Sequence, residues 1–294
     1  MSVSVSIPAF AAERSIARTT TSVLRQTTAE FELIIVDDAS EDATLDVARR
    51  FSDSRIKVYR NETRLGMAAN WNRALELAEG DFITLLHSDD ELAPEYLTRC
   101  LKAFSSVPSA VVVHTNMLRI DSDNNVIGGH WVYPADAVDE RLPPAAALEK
   151  LFAGNFICCP SVMFRRSLLP AGDLFDPRYQ YAADYDAWCR LAPRGDFLFV
   201  AAPLLRYRDH DQRQTRQVPL MRKEKEQTDI MLHHARIHRR PALKRHAGAR
   251  SLHFAWKCRR HRLPSWKDYF RSALTLYPPC LLDKRIIKTL LSLP

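Results

Sequence analysis

Two adjacent carboxylates, Asp89 and Asp90, follow the apolar run Phe82-Ile83-Thr84-Leu85-Leu86 and the dipeptide His87-Ser88. Residues 82–86 read as a buried strand that delivers the pair at its C-terminal end. In open α/β sheets, ligands bind in the crevice beyond the carboxyl ends of the strands. Hard cations such as Mg2+ and Mn2+ take one or two carboxylates, with phosphate oxygens completing the shell. The pair is therefore a candidate metal–phosphate site; the alternative is a polar turn after a strand. A second acidic pair, Asp37 and Asp38, ends the run Phe31-Glu32-Leu33-Ile34-Ile35-Val36. It could contact a ligand or serve only the N-terminal electrostatics of the next helix.

The surrounding pattern predicts what must position these groups. Strands are expected over 3–7, 31–37, 56–60, 82–86 and 110–114. Helices are expected over 14–26, 40–51 (with Ser40 as N-cap), 67–78 and 94–105. Alternation of this kind, with apolar strands, implies a mostly parallel sheet covered by helices. Gly-x-Gly-x-x-Gly and Walker-type loops are absent, and glycine is scarce at 8 residues. That argues against a dinucleotide enzyme or a P-loop NTPase. A nucleotide held without a glycine loop needs a metal for its diphosphate and a carboxylate for its base or ribose. The two acidic strand ends can supply both.

Composition is ordinary for a globular chain of 294 residues, with 46% hydrophobic and 26% charged residues. The six cysteines include one adjacent pair, Cys158-Cys159, and no Cys-x-x-Cys spacing. With no disulfide framework, a cytoplasmic setting is the expectation. The N-terminus runs into a strand too short and uncharged for a signal peptide, and no run approaches the roughly 18 apolar residues of a membrane span. Charge is uneven. Residues 220–294 carry 18 Lys and Arg against 5 Asp and Glu, a net of +13, whereas residues 1–219 carry 24 against 30, a net of −6. The shift marks a boundary near Pro219 between a mildly acidic domain and a basic helical C-terminal region.

Five segments, in order, resemble a known family. They are Val3-Ser4-Val5-Ser6-Ile7-Pro8-Ala9-Phe10, then Ser22-Val23-Leu24-Arg25-Gln26-Thr27, then residues 32–40 from Glu32 to Ser40. Asn61-Glu62-Thr63-Arg64-Leu65-Gly66 with Asn70 follows, and Gly80-Asp81 through Asp90 completes the set. Together they resemble the start of a family 2 glycosyltransferase, and the resemblance extends over about residues 1–215. It implies the GT-A fold, a Rossmann-like α/β sheet flanked by helices, with residues 1–115 as the nucleotide-binding half and 116–219 as the acceptor and catalytic half. It also implies a nucleotide-sugar donor, a divalent metal (Mn2+ or Mg2+) and inversion at the anomeric carbon.

Carried onto this chain, the resemblance places Pro8 and Phe10 along the nucleobase pocket, with Asp38 bonded to the base and Asp37 supporting it. The family's Asp-x-Asp motif falls on His87-Ser88-Asp89, so a histidine replaces the first acid. Asp89 and Asp90 then share the ribose and the metal, with Asp90 preferred as the direct ligand. Ala11 stands where a polar Asn commonly follows the aromatic residue. Asn155-Phe156-Ile157-Cys158-Cys159-Pro160 through Arg166 resembles the acceptor-side strand; Cys158 and Cys159 read as packing residues because no adjacent base is legible. Ala183-Asp184-Tyr185-Asp186-Ala187-Trp188 resembles the family's Glu-Asp-Tyr-Asp-Leu-Trp helix start, with Ala183 for the usual Glu. Asp184 aligns with the general base; an N-cap role is its alternative, and Asp186 is the fallback base. Leu205-Arg206-Tyr207-Arg208-Asp209-His210 resembles the closing Tyr-Arg-x-His segment, which places His210 at the metal or diphosphate and Arg208 on phosphate.

The expected reaction is transfer from a nucleotide sugar, a UDP-sugar as first choice, to a hydroxyl of a glycan or lipid-linked glycan. Alternatives are a sugar-1-phosphate nucleotidyltransferase, disfavoured by the missing glycine loop, and a non-catalytic binding protein, which His87 and Ala183 keep open. In residues 220–294, arginines and histidines interleave with Trp256, Trp266, Tyr269 and Phe270. That pattern suits an anionic membrane surface on the cytoplasmic side, or a helical appendage; no nucleic-acid module is recognised.

Overall fold

The computed structural model describes residues 2–129, 132–211 and 213–278. Residues 1–147 and 156–213 form one compact unit; residues 148–155 and the chain from 214 form a second. The elements, in order, are β1 (Val3–Ala9), α1 (Ile16–Leu24), β2 (Phe31–Asp37), α2 (Thr44–Arg49), β3 (Ile56–Arg60), α3 (Met67–Glu76) and β4 (Phe82–Leu85). Then follow β5 (Glu91–Leu92), α4 (Tyr96–Ser106), β6 (Ala110–Ile120), β7 (Val126–Gly129), β8 (Glu140–Leu142), α5 (Pro144–Ala153), β9 (Val162–Arg165), α6 (Ala183–Leu191) and β10 (Asp196–Arg208). The chain continues through α7 (Gln214–Gln217), α8 (Leu220–His238), α9 (Pro241–Arg260) and α10 (Trp266–Leu276).

One mixed sheet organises the first unit, in the order β3-β2-β1-β4-β9-β6-β10-β5, with β7 on β6 and β8 on β10. β3, β2, β1 and β4 are parallel, as the alternation of elements requires. β1 is buried along its length, so its two serines need internal partners: Ser6 donates to Ala74 O at 3.1 Å, and Ser4 bonds Glu32 at 2.5 Å. Gly80 enters β4 where a Cβ would lie 2.6 Å from Ser4 N, a close approach that only glycine permits. Register fixes the site. Ala9 pairs with Asp37 and Ser6 with Leu85, so β1, β2 and β4 end at one edge. The sequence continues in opposite directions from β1, to β2 on one side and β4 on the other, which is the switch point where ligands bind.

Beyond β4 the sheet departs from the parallel expectation. β9 runs antiparallel to both β4 and β6, while β10 is parallel to β6. β6 reaches Ile120 rather than ending at His114, because the 13-residue β10 pairs along its whole length through bulges at residues 200–205. Helix starts also differ. Ser40 is not an N-cap: its hydroxyl accepts from Ala11 N at 3.1 Å, Asp42 takes Thr44 N at 3.0 Å, and α2 begins only at Thr44. The α/β class and the flanking helices are as expected.

In the second unit, α9 packs against α8 and α10, with Leu252, Ala273, Phe270 and Tyr277 forming an apolar seam. Tyr269 donates to Asp229 at 2.7 Å, Arg250 donates to Gln227 at 2.7 Å, and Lys257 pairs with Glu224. The boundary between the units falls at 213 rather than 219. The part of the basic region beyond 278 lies outside the described residues.

Candidate active site

The loop after β1 and the loop after β2 are laced together at the sheet edge. Ala11 and Ala39 both adopt left-handed backbone, φ +48° and +55°. Asn and Gly enter that region more readily than alanine, which meets a steric cost there, so the usual Asn at the first position has a conformational reason. Asp38 donates its N–H to Ala9 O at 2.8 Å. Its buried carboxylate accepts from Asn61 Nδ2 (2.9 Å), Leu65 N (2.8 Å) and Gly66 N (2.9 Å). Asn61 also reaches Asn70, which donates to Val36 O. Asp38 is thus the fastening of the 61–66 loop, which leaves it little capacity for the direct base contact expected of it. Asp37 is fully buried, receives Ser40 N at 3.3 Å, and lies 3.7 Å from Arg60. Pro8 is buried in β1, whereas Phe10 is 40% exposed with the Arg64 guanidinium 3.8 Å above its ring. Phe10 therefore presents an aromatic face at the crevice.

The turn after β4 brings His87, Asp89 and Asp90 together, each offering a ligand atom within 4.8 Å of the others. Asp90 N bonds His87 O, and Thr19 donates to Ser88 O, which fixes the turn. The two carboxylates differ in setting. The Asp89 side chain is 22% exposed, while that of Asp90 is wholly buried and accepts from Arg208 N at 2.8 Å. His210 Nε2 lies 2.9 Å from Asp89 Oδ2. Arg213 spans both carboxylates, with Nη2 3.1 Å from Asp90 and 3.4 Å from Asp89. The structure therefore gives Asp90, the expected direct ligand, an inward anchoring place and turns Asp89 toward the cleft.

Electrostatics follow from that arrangement. Burial and the Arg213 charge push the His87 imidazole down to about 4, so it is neutral with a lone pair to give. Its ring stacks on Trp71 with centroids 5.1 Å apart, and its buried Nε2 has no hydrogen-bond partner among the described residues. Burial works against the Asp89 anion, yet Arg213 and His210 outweigh it and hold Asp89 at about 2. Burial and the neighbouring Asp89 charge push Asp90 upward, against the pull of Arg213. His87 Nδ1 lies 3.8 Å from Asp90 Oδ2, and one neutral imidazole beside two carboxylates is a donor set that fits a divalent ion such as Mn2+.

Arg208 is corrected by the structure. It is buried, and its guanidinium donates to the carbonyls of Asp89 (3.0 Å) and Asp121 (2.8 Å) and pairs with Glu91. A buried guanidinium must satisfy its five donors internally, so it braces the turn instead of presenting itself to phosphate. The cation at the acidic pair is Arg213, which sequence reading passed over. It lies three residues beyond His210, and nothing in its spacing set it apart.

Asp184 lies in the first turn of α6, one residue inside Ala183 and two beyond the N-cap residue Ala182, and accepts Tyr185 N at 2.8 Å. It is partly exposed, whereas the fallback Asp186 is buried. Cys158 and Cys159 are buried, and their thiols are pushed well above the usual range by burial and by the nearby charges of Asp90 and Asp184. Both cysteines are free, buried packing groups within electrostatic reach of Asp184 and the acidic pair. The path to α6 is held from α3: Asn72 brackets Phe175 with bonds of 2.7 and 2.9 Å, and Trp71 meets the Phe175 ring edge-on.

Comparison with known proteins agrees with this geometry. The sequence pattern described as Glycosyl transferase family 2 matches residues 4–171. Chondroitin synthase of Escherichia coli is 30% identical over 67% of this chain and 27% of its own length. The Escherichia coli UDP-Glc:alpha-D-GlcNAc-diphosphoundecaprenol beta-1,3-glucosyltransferase WfgD is 31% identical over 63% of this chain and 68% of its own. The chain thus spans about a quarter of the chondroitin synthase and about two thirds of WfgD. In fold it matches S. aureus TarS 1-349 in complex with UDP-GlcNAc, with a TM-score of 0.74 at 19% identity over 98% of this chain and 84% of that one. The chain belongs to glycosyl transferase family 2.

Proposed function

We propose that this chain is an inverting, metal-dependent glycosyltransferase. It would move a sugar from a nucleotide donor, UDP-linked in the first instance, to a hydroxyl of a glycan or lipid-linked glycan. The observation that carries the reading is the register of β1, β2 and β4, which ends both acidic pairs at one edge, the switch point of the sheet, with ligand atoms of His87, Asp89 and Asp90 within 4.8 Å of one another. The substrates of the chondroitin synthase and of WfgD support a carbohydrate acceptor.

In this reading Pro8 and Phe10 receive the base, and Asp37 and Asp38 hold the two loops that frame it. Asp89, with His87 and His210 beside it, would hold the ion, while Asp90 anchors the turn and adds its charge. Bound there, a divalent ion neutralises the charge that develops on the departing diphosphate. Asp184 takes the proton of the acceptor hydroxyl as its oxygen bonds the anomeric carbon. The bond from that carbon to the phosphate oxygen breaks on the opposite face, its electron pair leaves with the nucleoside diphosphate, and the configuration inverts. The exposed arginines of α8 and α9, among them Arg236, Arg245 and Arg259, are proposed to favour an anionic membrane, where a lipid-linked acceptor would reside. Among the described residues no helix is long and apolar enough to cross one.

The test is release of nucleoside diphosphate from UDP-sugars with Mn2+ and a carbohydrate acceptor, with the anomeric configuration of the product read by NMR. Transfer with inversion supports the reading. No turnover with any nucleotide sugar, or retention of configuration, rejects it.

A further inference from the structure

Arg213 touches the acidic pair through three atom contacts. Nη2 lies 3.1 Å from Asp90 Oδ2 and 3.4 Å from Asp89 Oδ1, and Nη1 lies 3.4 Å from Asp90 Oδ1. The side chain is itself buried, held by a 2.6 Å bond to Arg208 O and by the Tyr207 ring 3.6 Å from its guanidinium carbon. Two adjacent carboxylates in so enclosed a turn would repel one another without a counter-charge. The guanidinium supplies that charge from within the chain, in contact with Asp89, which would hold the ion, and with Asp90 beside it.

We propose that Arg213 is a built-in counter-cation of the acidic pair, that it competes with a divalent ion for Asp89 and Asp90, and that it thereby weakens metal binding to the nucleotide-free protein. The inference rests on the metal reading above. Two cations drawn to the same carboxylate pair repel each other at short range, with little water between them to screen the repulsion. In the metal-free protein Arg213 keeps the turn folded; with metal present its neutralising part becomes redundant. Removing the charge therefore exchanges an internal cation for an external one. The turn loses its own counter-charge and gains affinity for the metal.

The experiment is Mn2+ titration of nucleotide-free protein, read as the electron paramagnetic resonance signal of free Mn2+, for the natural chain, Arg213→Met and Arg213→Lys. Each protein is also melted in EDTA and in Mn2+. Arg213→Met is expected to bind Mn2+ at least about tenfold more tightly, since one unit charge near contact is worth about fivefold in bulk water and more in a partly buried site. It should also melt lower in EDTA and recover more on adding Mn2+ than the natural chain does. Arg213→Lys keeps the charge and should stay close to the natural affinity. Asp89→Asn and Asp90→Asn in both backgrounds mark the site, since Mn2+ that binds both variants normally lies elsewhere. Should Arg213→Met unfold in EDTA, refolding on adding Mn2+ supports the inference and failure to refold overturns it. Equal or weaker Mn2+ binding by a folded Arg213→Met also overturns it, while leaving the metal site standing. If no protein binds Mn2+ even with UDP added, the metal reading itself falls and takes this inference with it.

Discussion

The two acidic strand ends of one sheet are held in opposite ways. Asp38, after β2, is held by three neutral donors, the amide of Asn61 and the backbone N–H groups of residues 65 and 66. Asp89 and Asp90, after β4, are held chiefly by the cation Arg213, with His210 on Asp89. Neutral donors fix a carboxylate in place without cancelling its charge, and breaking such bonds in a buried site exposes each donor to a desolvation cost. A cation can be exchanged for another cation. The first arrangement therefore builds the loop that frames a ligand, and the second is the one suited to taking up a metal ion. Partial exposure sharpens the contrast, since Asp38 is buried whereas the Asp89 side chain remains 22% exposed.

The strongest test of that contrast is away from both pairs. Asp184→Asn should lower transfer by about 10²- to 10⁴-fold, the range for a general base, with Mn2+-dependent donor binding retained. Turnover and calorimetric donor binding measured on the same preparation decide it; retained turnover removes Asp184 as the base. Asp89→Asn should weaken Mn2+-dependent nucleotide binding by about 100-fold or more, beyond the 10–100-fold typical of changes behind the ligands. If Asp89→Asn binds normally and Asp90→Asn does not, the assignment of anchor and ligand is reversed.

At the other strand end the effect should appear as stability. Asp38→Ala leaves three part-buried donors without their acceptor and should cost about 1–3 kcal/mol in urea unfolding, with Mn2+ binding little changed. A loss of Mn2+ affinity with unaltered stability would contradict the division between the two ends. The smallest effect concerns the strained turn beside Asp38. Ala39, at φ +55°, should gain about 0.5–1 kcal/mol on replacement by glycine, visible as a higher urea midpoint. An unchanged or lower midpoint would show that the turn holds no strain to release.

Legibility in the sequence divides along the same line. Strands β1 to β4 and their crossing helices were readable, because continuous apolar runs and short helical periods are local signals. The candidate residues at their ends, from Phe10 to Asp90, follow directly from that reading. The second half was less so. The antiparallel insertion of β9 and the full length of β10 depend on pairing between residues 40 or more apart, which no window of sequence displays. Arg208 and Arg213 show the consequence for the site. Both are arginines in one closing segment, and only their burial and partners distinguish the brace from the counter-cation. Ser40 was misplaced for a related reason: its hydroxyl answers a backbone N–H from the neighbouring loop, not from its own helix.

The most direct measurement is a calorimetric titration of the natural chain and of Asp89→Asn with uridine, guanosine and thymidine diphosphates, each with and without Mn2+. Mn2+-dependent binding of one nucleotide to the natural chain, lost in Asp89→Asn, is the predicted result. Binding of none of the three with Mn2+ present, or binding indifferent both to the metal and to Asp89, would contradict the assignment of the turn after β4 as the donor's metal site.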